Sequence, residues 1–261
     1  MSSPAFTIVI PCFNEAENIA AVVEEALAVT EAAGTSVIVV DDGSSDATSE
    51  AARKVASDRL TVITHPSRSG KSAAIRTGAL ACRTLWFGTM DGDGQDDPAD
   101  LLRMSGEVDL STVGTVGLVG GWRKNRTDGD SRRIASRLAN GLRKKMLHDD
   151  CPDTACGLKL MPRALFLAMP FYDSLHRYFP AWTKHFGYEG RWVPVTNRPR
   201  AAGTSKYSNI GRAAAGFFDL LGVKWLMKRT HIPSQELLFP PQSLSAPIGY
   251  GSDVQETARQ A

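Results

Sequence analysis

Cysteine is scarce in this chain and is never closely paired. Cys12, Cys82, Cys151 and Cys156 are the only four among 261 residues, and no two stand in Cys-x-x-Cys spacing. That excludes the usual thiol redox and metal signatures and points to reduced thiols in a cytoplasmic protein. No run of about 18 apolar residues occurs, so no membrane-spanning helix is expected. No basic leader precedes the first apolar run, Phe6-Thr-Ile-Val-Ile10, which excludes a signal peptide from this reading. There is no internal repeat. Neither sign of charge dominates: 30 Lys and Arg face 28 Asp and Glu, a net charge of +2, and no nucleic acid is expected as a partner. With 43% hydrophobic residues, the chain can bury the core of one large α/β domain.

The balance of charge is not local. Nine Lys and Arg but only two Asp lie between Arg123 and Lys145. Such a run is a solvated helix face or a phosphate-binding one. Over the first hundred residues the pattern alternates. Apolar runs at 6–10, 36–40, 60–63 and 85–90 predict strands, and helical spacing over 16–33, 45–57 and 70–82 predicts the helices between them. That rhythm predicts a mostly parallel sheet covered on both faces. Further on, the pattern predicts strands at 118–122 and 191–195, and helices at 131–147 and 175–186. From His231 the chain is rich in Pro, Ser, Gln and Gly, and a flexible tail over 231–261 is expected.

Polar clusters follow three of these strands: Pro11-Cys-Phe-Asn-Glu15, Asp41-Asp-Gly-Ser-Ser-Asp46 and Asp91-Gly-Asp-Gly-Gln95. A parallel sheet brings all three to one edge, where α/β proteins bind ligands. The last cluster offers two carboxylates and an amide oxygen at alternate positions, an all-oxygen set suited to Mg²⁺ or Mn²⁺. As plain structure it is a turn, with Asp96 or Asp97 capping a helix that begins near Pro98. Ser69-Gly-Lys-Ser72 imitates a P-loop. The position five residues before its glycine is His65, however, so the phosphate-cradling nest is not expected. A weaker reading puts Arg68 and Lys71 near a nucleotide at this helix start.

Taken in order, Pro11-x-x-Asn14-Glu15, Asp41-Asp42-Gly-Ser-x-Asp46 and Asp91-x-Asp93-x-Gln95 resemble family 2 glycosyltransferases of the GT-A fold. More narrowly, they are similar to the polyprenyl-phosphate branch typified by dolichyl-phosphate-mannose synthases. Gly121-Trp-Arg123, Arg132 with Ser136, Asp153-Thr-Ala-Cys-Gly157 and Arg200-Ala-Ala-Gly-Thr-Ser-Lys206-Tyr extend the resemblance. The chain has Thr154 where that branch carries Pro, and Lys159 where Arg is common.

The resemblance implies a Rossmann-like GT-A domain over 1–209 and an inverting, metal-dependent transfer of sugar from a UDP- or GDP-linked donor to a polyprenyl phosphate such as undecaprenyl phosphate. It implies a metal at Asp91, Asp93 and Gln95. Pro11, Asn14, Glu15, Asp42, Lys71 and Asp91 would hold the nucleotide sugar, and Arg132, Ser136, Arg200 and Lys206 the acceptor phosphate. Asp93, Asp153 and Arg123 are the implied catalytic residues, with Asp153 a base or a sugar-orienting carboxylate.

A helix over 210–230 sets Ala214, Phe217, Phe218, Leu221 and Trp225 on one stripe, bordered by Arg212, Lys224, Lys228 and Arg229. This predicts either an interfacial helix, placing the protein peripherally on the inner face of the cytoplasmic membrane, or a helix packed on protein. An oligomer is left open. The sequence does not reveal the sugar, and Lys71 or Arg177 are candidates for pairing with a sugar carboxylate. A soluble transferase acting on a saccharide or protein hydroxyl, and a non-catalytic binding module, are the alternatives.

Overall fold

The computed structural model describes residues 6–123, 141–196, 198–199 and 209–231, with side chains of the last segment from Gly216 onward. Seven strands form one sheet: β1 (Thr7–Cys12), β2 (Ser36–Asp41), β3 (Leu60–Thr64), β4 (Trp86–Thr89), β5 (Val116–Arg123), β6 (Lys159–Pro162) and β7 (Glu189–Val195). Their order is β3-β2-β1-β4-β6-β5-β7. Only β6 opposes its neighbours, β4 and β5; the remaining pairings are parallel. The helices are α1 (Ile19–Val29), α2 (Thr48–Arg53), α3 (Lys71–Ala81), α4 (Pro98–Ser105), α5 (described over 141–147), α6 (Arg163–Ala168), α7 (Phe179–His185) and α8 (Asn209–Met227).

The apolar runs are continuous because both faces of the sheet are covered. Ile8 and Ile10 of β1 and Val37 and Val39 of β2 face a core shared with α1 and α4. Val9, Ile38 and Val40, on the alternate positions, face a second core with α3, α6 and α7. The mostly parallel GT-A architecture agrees with the sequence pattern. Elements missed are β6 and α6, a four-residue strand and a six-residue helix too short to show periodicity. Helix boundaries differ too. The 175–186 segment is a 3₁₀ turn, Leu175–Arg177, followed by α7, whose first turn accommodates Pro180. Neither Ser45 nor Asp46 caps α2, since Ala47 holds that position. Asp46 instead accepts from the Ala16 and Thr48 N–H groups and so ties the first loop to the second.

Among the described residues, no helix is long and apolar enough to cross a membrane. All four cysteines are buried and free. Helix α8 buries Leu220 and Val223 against the second core and leaves Phe217, Phe218, Leu221 and Trp225 at 47, 70, 44 and 58% exposure. The helix is therefore packed on protein along one side and apolar toward solvent along the other.

Candidate active site

The three polar clusters meet where the sheet pattern puts them, at the carboxyl ends of β1, β2 and β4. Asn14 has a left-handed backbone (φ 56°), and its Oδ1 accepts from Ser45 N–H at 2.9 Å. Asp41 accepts from Ser44 and Ser49. The Asn14–Ser45 bond ties the first loop to the second, and the Asp41 bonds order the second. Glu15 accepts from Asn18 Nδ2 at 2.9 Å, and Pro11 is buried in β1 opposite Val40.

Asp42, expected to bind the donor, is first a clamp within the protein. Its Oδ1 accepts from Ser69 N–H at 2.8 Å and lies 2.8 Å from His65 Nδ1, and its Oδ2 accepts from Gly70 N–H at 2.7 Å. This disposes of the P-loop likeness. The N–H groups that a phosphate would take at the start of α3 are taken by the Asp42 carboxylate.

The clamp has a consequence one residue on. With Gly70 held, Lys71 at the first turn of α3 pairs with Asp91 Oδ1. Burial alone would raise the Asp91 pKa, but the Lys71 ammonium overrides it and holds the carboxyl below its usual range. The 91–96 turn closes on itself. Gly94 takes the left-handed conformation (φ 76°), Gln95 N–H donates to Asp93 Oδ1 at 3.2 Å, and Asp91 N–H donates to Asp96 Oδ2 at 3.0 Å. Of the two candidate caps, Asp97 serves, accepting from Ala99 N–H at 2.9 Å with Pro98 at the first helical position. Asp96 is buried beside Asp91. Burial first, then that neighbouring charge, pushes its carboxyl above the usual range.

A third segment covers the turn. Thr89 Oγ1 donates to Gly157 O at 2.6 Å. A Cβ at Gly157 would lie 2.3 Å from Asp96 Oδ2 and 2.8 Å from Asp91 Cγ, so this glycine is required for space. Before it in the same loop, Asp153 is engaged by Arg123, Nε to Oδ2 at 2.8 Å and Nη2 to Oδ1 at 3.1 Å. The pair is largely buried, with side chains 18% and 4% exposed.

After the glycine, Lys159 is 5% exposed, and its Nζ donates to the carbonyls of Cys156 and Thr154. Burial pulls its pKa down. Beside Asp91 lies a cavity of about 260 Å³, lined among others by Lys71, Lys159, His176, Arg177 and Gly157. His176 Nδ1 lies 2.9 Å from Ser72 Oγ. Burial, then the charges of Lys71, Lys159 and Arg177, depress its pKa to about 2, so the ring is neutral.

The structure therefore assembles Lys71, Asp91, Asp93, Gln95, Arg123 and Asp153 around one loop, with Asn14, Glu15 and Asp42 along the adjoining edge. The acceptor-phosphate candidates Arg132, Ser136, Arg200 and Lys206 lie outside the described residues. Arg198 is described and was missed. It pairs with Glu25 and Asp97, and its carbonyl accepts from Gln95 Nε2 at 3.2 Å. His176 was also missed, since it belongs to none of the motifs, and Lys159 was read only as standing where Arg is common, without its burial.

The metal reading fits by the chemistry of the donor set. Asp91, Asp93 and Gln95 offer hard oxygens, and Asp96, its carboxyl raised by burial and then by the charge of Asp91, lies beside them. Among the described residues, no three His, Cys, Asp or Glu side chains already converge as a ligand cluster. Asp91 is turned to Lys71, and the third donor of the set is an amide.

The seven-stranded, mostly parallel sheet and its helices define a GT-A domain. The pattern of glycosyl transferase family 2 matches residues 7–168, and the chain belongs to that family. It is 33% identical over 236 residues to a dodecaprenyl-phosphate galacturonate synthase of Rhizobium johnstonii, covering 87% of this chain and 69% of that protein. It is 32% identical over 227 residues to an undecaprenyl-phosphate 4-deoxy-4-formamido-L-arabinose transferase of Pseudomonas fluorescens, covering 82% of this chain and 63% of that protein. An Edwardsiella ictaluri transferase of the same description is 28% identical, and the chain spans 62% of its length. Among solved structures, glucosyl-3-phosphoglycerate synthase from Mycobacterium tuberculosis, in complex with Mn²⁺, UDP and glucosyl-3-phosphoglycerate, superposes with a TM-score of 0.64 at 18% identity. That match covers 89% of this chain and 82% of the other, a likeness of fold.

Proposed function

We propose that this protein transfers a sugar from a UDP- or GDP-linked donor to a polyprenyl phosphate at a membrane surface, with inversion at the anomeric carbon. The observation that carries this reading is the state of Asp153. Asp153, which the resemblance makes a candidate base or sugar-orienting carboxylate, has both oxygens engaged by Arg123. A hydroxyl acceptor needs a base to take its proton. A phosphate monoester, with a second pKa of about 6, is already an anion at neutral pH and needs position instead. The relatives named for polyprenyl-phosphate products support the same acceptor.

Asp91, Asp93 and Gln95 would hold Mg²⁺ or Mn²⁺. Bound there, the cation would neutralise the departing diphosphate as a Lewis acid. Lys71 keeps an ammonium beside that diphosphate through its pairing with Asp91. Arg123 fixes the orientation of Asp153 and, through it, the loop that ends at Gly157. Asn14 and Glu15 line the edge that would hold the nucleoside. Arg132, Ser136, Arg200 and Lys206 are proposed to bind the acceptor phosphate.

Incubation with undecaprenyl phosphate and a panel of UDP- and GDP-sugars, in Mn²⁺ or Mg²⁺, is expected to yield a lipid heavier by one sugar residue. Transfer only to saccharide or protein hydroxyls, with the lipid unchanged, overturns the reading.

The membrane part rests on α8. Its exposed aromatic face is bordered by Lys224, Lys228 and Arg229, and the Arg229 guanidinium sits 4.9 Å from the Trp225 ring centre. This suits a peripheral interfacial helix. Phe218→Asp and Trp225→Asp are each expected to weaken binding to anionic vesicles by about tenfold or more, given about 1.5–3 kcal/mol per large apolar side chain buried. Both side chains are exposed, so the melting temperature should hold. Co-sedimentation unchanged by either substitution rules the interface out.

A further inference from the structure

The 260 Å³ cavity beside Asp91 has a cationic lining. Lys71, Lys159 and Arg177 bring three cations to it, His176 adds a neutral ring, and no carboxylate belongs to the lining. Lys159 is the informative member. It is 5% exposed, and its ammonium is held only by the carbonyls of Thr154 and Cys156, with no carboxylate in ion-pairing contact among the described residues. Asp91 offsets the burial of this ammonium only from beyond contact distance, so an anion placed in the cavity would relieve a cost the fold retains there. Arg177 is exposed at the rim and makes no ion pair among the described residues.

The cavity's neighbours identify the source of that anion. Lys71 and Gly157 line it and also touch Asp91 or pack against it, so it opens next to the turn proposed to hold the donor diphosphate. Arg123 and Asp153 do not line it. It is enclosed by α3, β6 and α7, with Ile75 and Phe179 as apolar walls. A pyranose attached to a diphosphate at Asp91 reaches into such a space. A phosphate carrying a prenyl chain does not enter it without burying the chain among cations.

We propose that this cavity is the sugar subsite and that Lys159 and Arg177 select a donor sugar bearing a carboxylate, a hexuronic acid, over its neutral counterpart. The proposal rests on the nucleotide-sugar transferase reading and adds the chemical class of the sugar. Lys159 forms the floor contact and Arg177 the outer one. Lys71 divides its charge between Asp91 and the cavity. His176, neutral and bonded to Ser72, supplies a polar wall without a competing charge.

Equilibrium binding tests this without requiring turnover. The full chain with Mn²⁺ is titrated with matched pairs: UDP-galacturonate against UDP-galactose, and UDP-glucuronate against UDP-glucose. Galacturonic acid 1-phosphate against galactose 1-phosphate repeats the comparison free of any nucleotide preference. The acidic member of at least one pair is expected to bind about 30-fold more tightly or better, the effect of a buried charge pair. Lys159→Met and Arg177→Gln should bring that pair toward parity by weakening only the acidic member, and Lys159→Arg should keep the preference. Arg177 is exposed, so its variant reports even where Lys159→Met does not fold. Equal affinity within every pair, or a preference that Arg177→Gln leaves intact, overturns the proposal. So does a Lys159→Met or Arg177→Gln variant that loses affinity for a short-chain polyprenyl phosphate and not for the acidic sugar, since the anion would then be the acceptor's. Because no acceptor is present in the sugar titrations, a preference for uronates with no lipid product would sink the acceptor reading alone. A lipid product without that preference would sink the sugar proposal alone.

Discussion

Replacing Asp93 by Asn is expected to lower transfer by about 10²–10³-fold, the loss seen when one preorganised electrostatic contact to a developing charge is removed. The protein should not be destabilised. Asp91, Asp93 and Asp96 crowd three carboxylates into one turn, and Asp96 is already pushed above the usual range by burial and by Asp91. Removing a negative charge there relieves repulsion, so the melting temperature should hold or rise. Activity and stability then move apart, which a merely structural Asp93 would not produce. Chelation should abolish transfer in the unaltered protein, and Mn²⁺ or Mg²⁺ should restore it. Full turnover in excess EDTA would remove the metal from the scheme, and full turnover of Asp93→Asn would remove this residue.

A comparably large effect is expected from Gly157→Val, for a different reason. Gly157 does not occupy the left-handed region, so no backbone strain is involved; the constraint is space. The first added carbon meets Asp96 Oδ2 and Asp91 Cγ well inside contact distance. The loop must lift, Asp91 must turn, or both, and overpacking of this kind costs about 1–3 kcal/mol. The larger consequence is functional. The loop carries Asp153 on one side and the Lys159 contacts on the other, so transfer should fall to near background in protein that still folds. Gly222→Ala on α8 is the control. Nothing lies within 4 Å of its added carbon, and stability there should stay level or improve. Wild-type rates in Gly157→Val, measured with thermal unfolding on the same preparation, would show that the 153–157 loop is not closed over Asp91 during turnover.

Much of the site was legible because it is written in short segments. Asp91-Gly-Asp-Gly-Gln95 announces a turn through its glycines and a candidate ligand set through its alternating oxygens, and both readings depend only on neighbours in the chain. The P-loop likeness could be discounted on spacing. Its actual explanation, the Asp42 carboxylate occupying the Ser69 and Gly70 N–H groups, joins residues 27 and 28 positions apart. Asp153 was legible as a carboxylate of interest, yet its lock to Arg123 spans 30 positions, and that lock turns a nominal base into an oriented anion. Lys159 and His176 were not legible as cavity residues. A lysine in a four-residue strand looks the same in sequence whether its ammonium reaches water or lies buried. Helix α8 falls between these cases. Its apolar stripe is evident from spacing, but the stripe's exposure depends on Leu220 and Val223 being the residues that meet the core.

Periodicity, turn chemistry and motif order by themselves determined the alternating α/β pattern, the edge of the sheet that gathers the polar clusters of the candidate site, and the family. Each of these follows from interactions within a few residues or from repeats along one element. Only the tertiary structure decided which carboxylates are clamps and which are left to work, why position 157 admits no side chain, and that three cations share one cavity. Those outcomes depend on burial and on contacts between distant segments. A charge has the same sequence signature in water and in the interior, while its energetic cost differs by several kcal/mol.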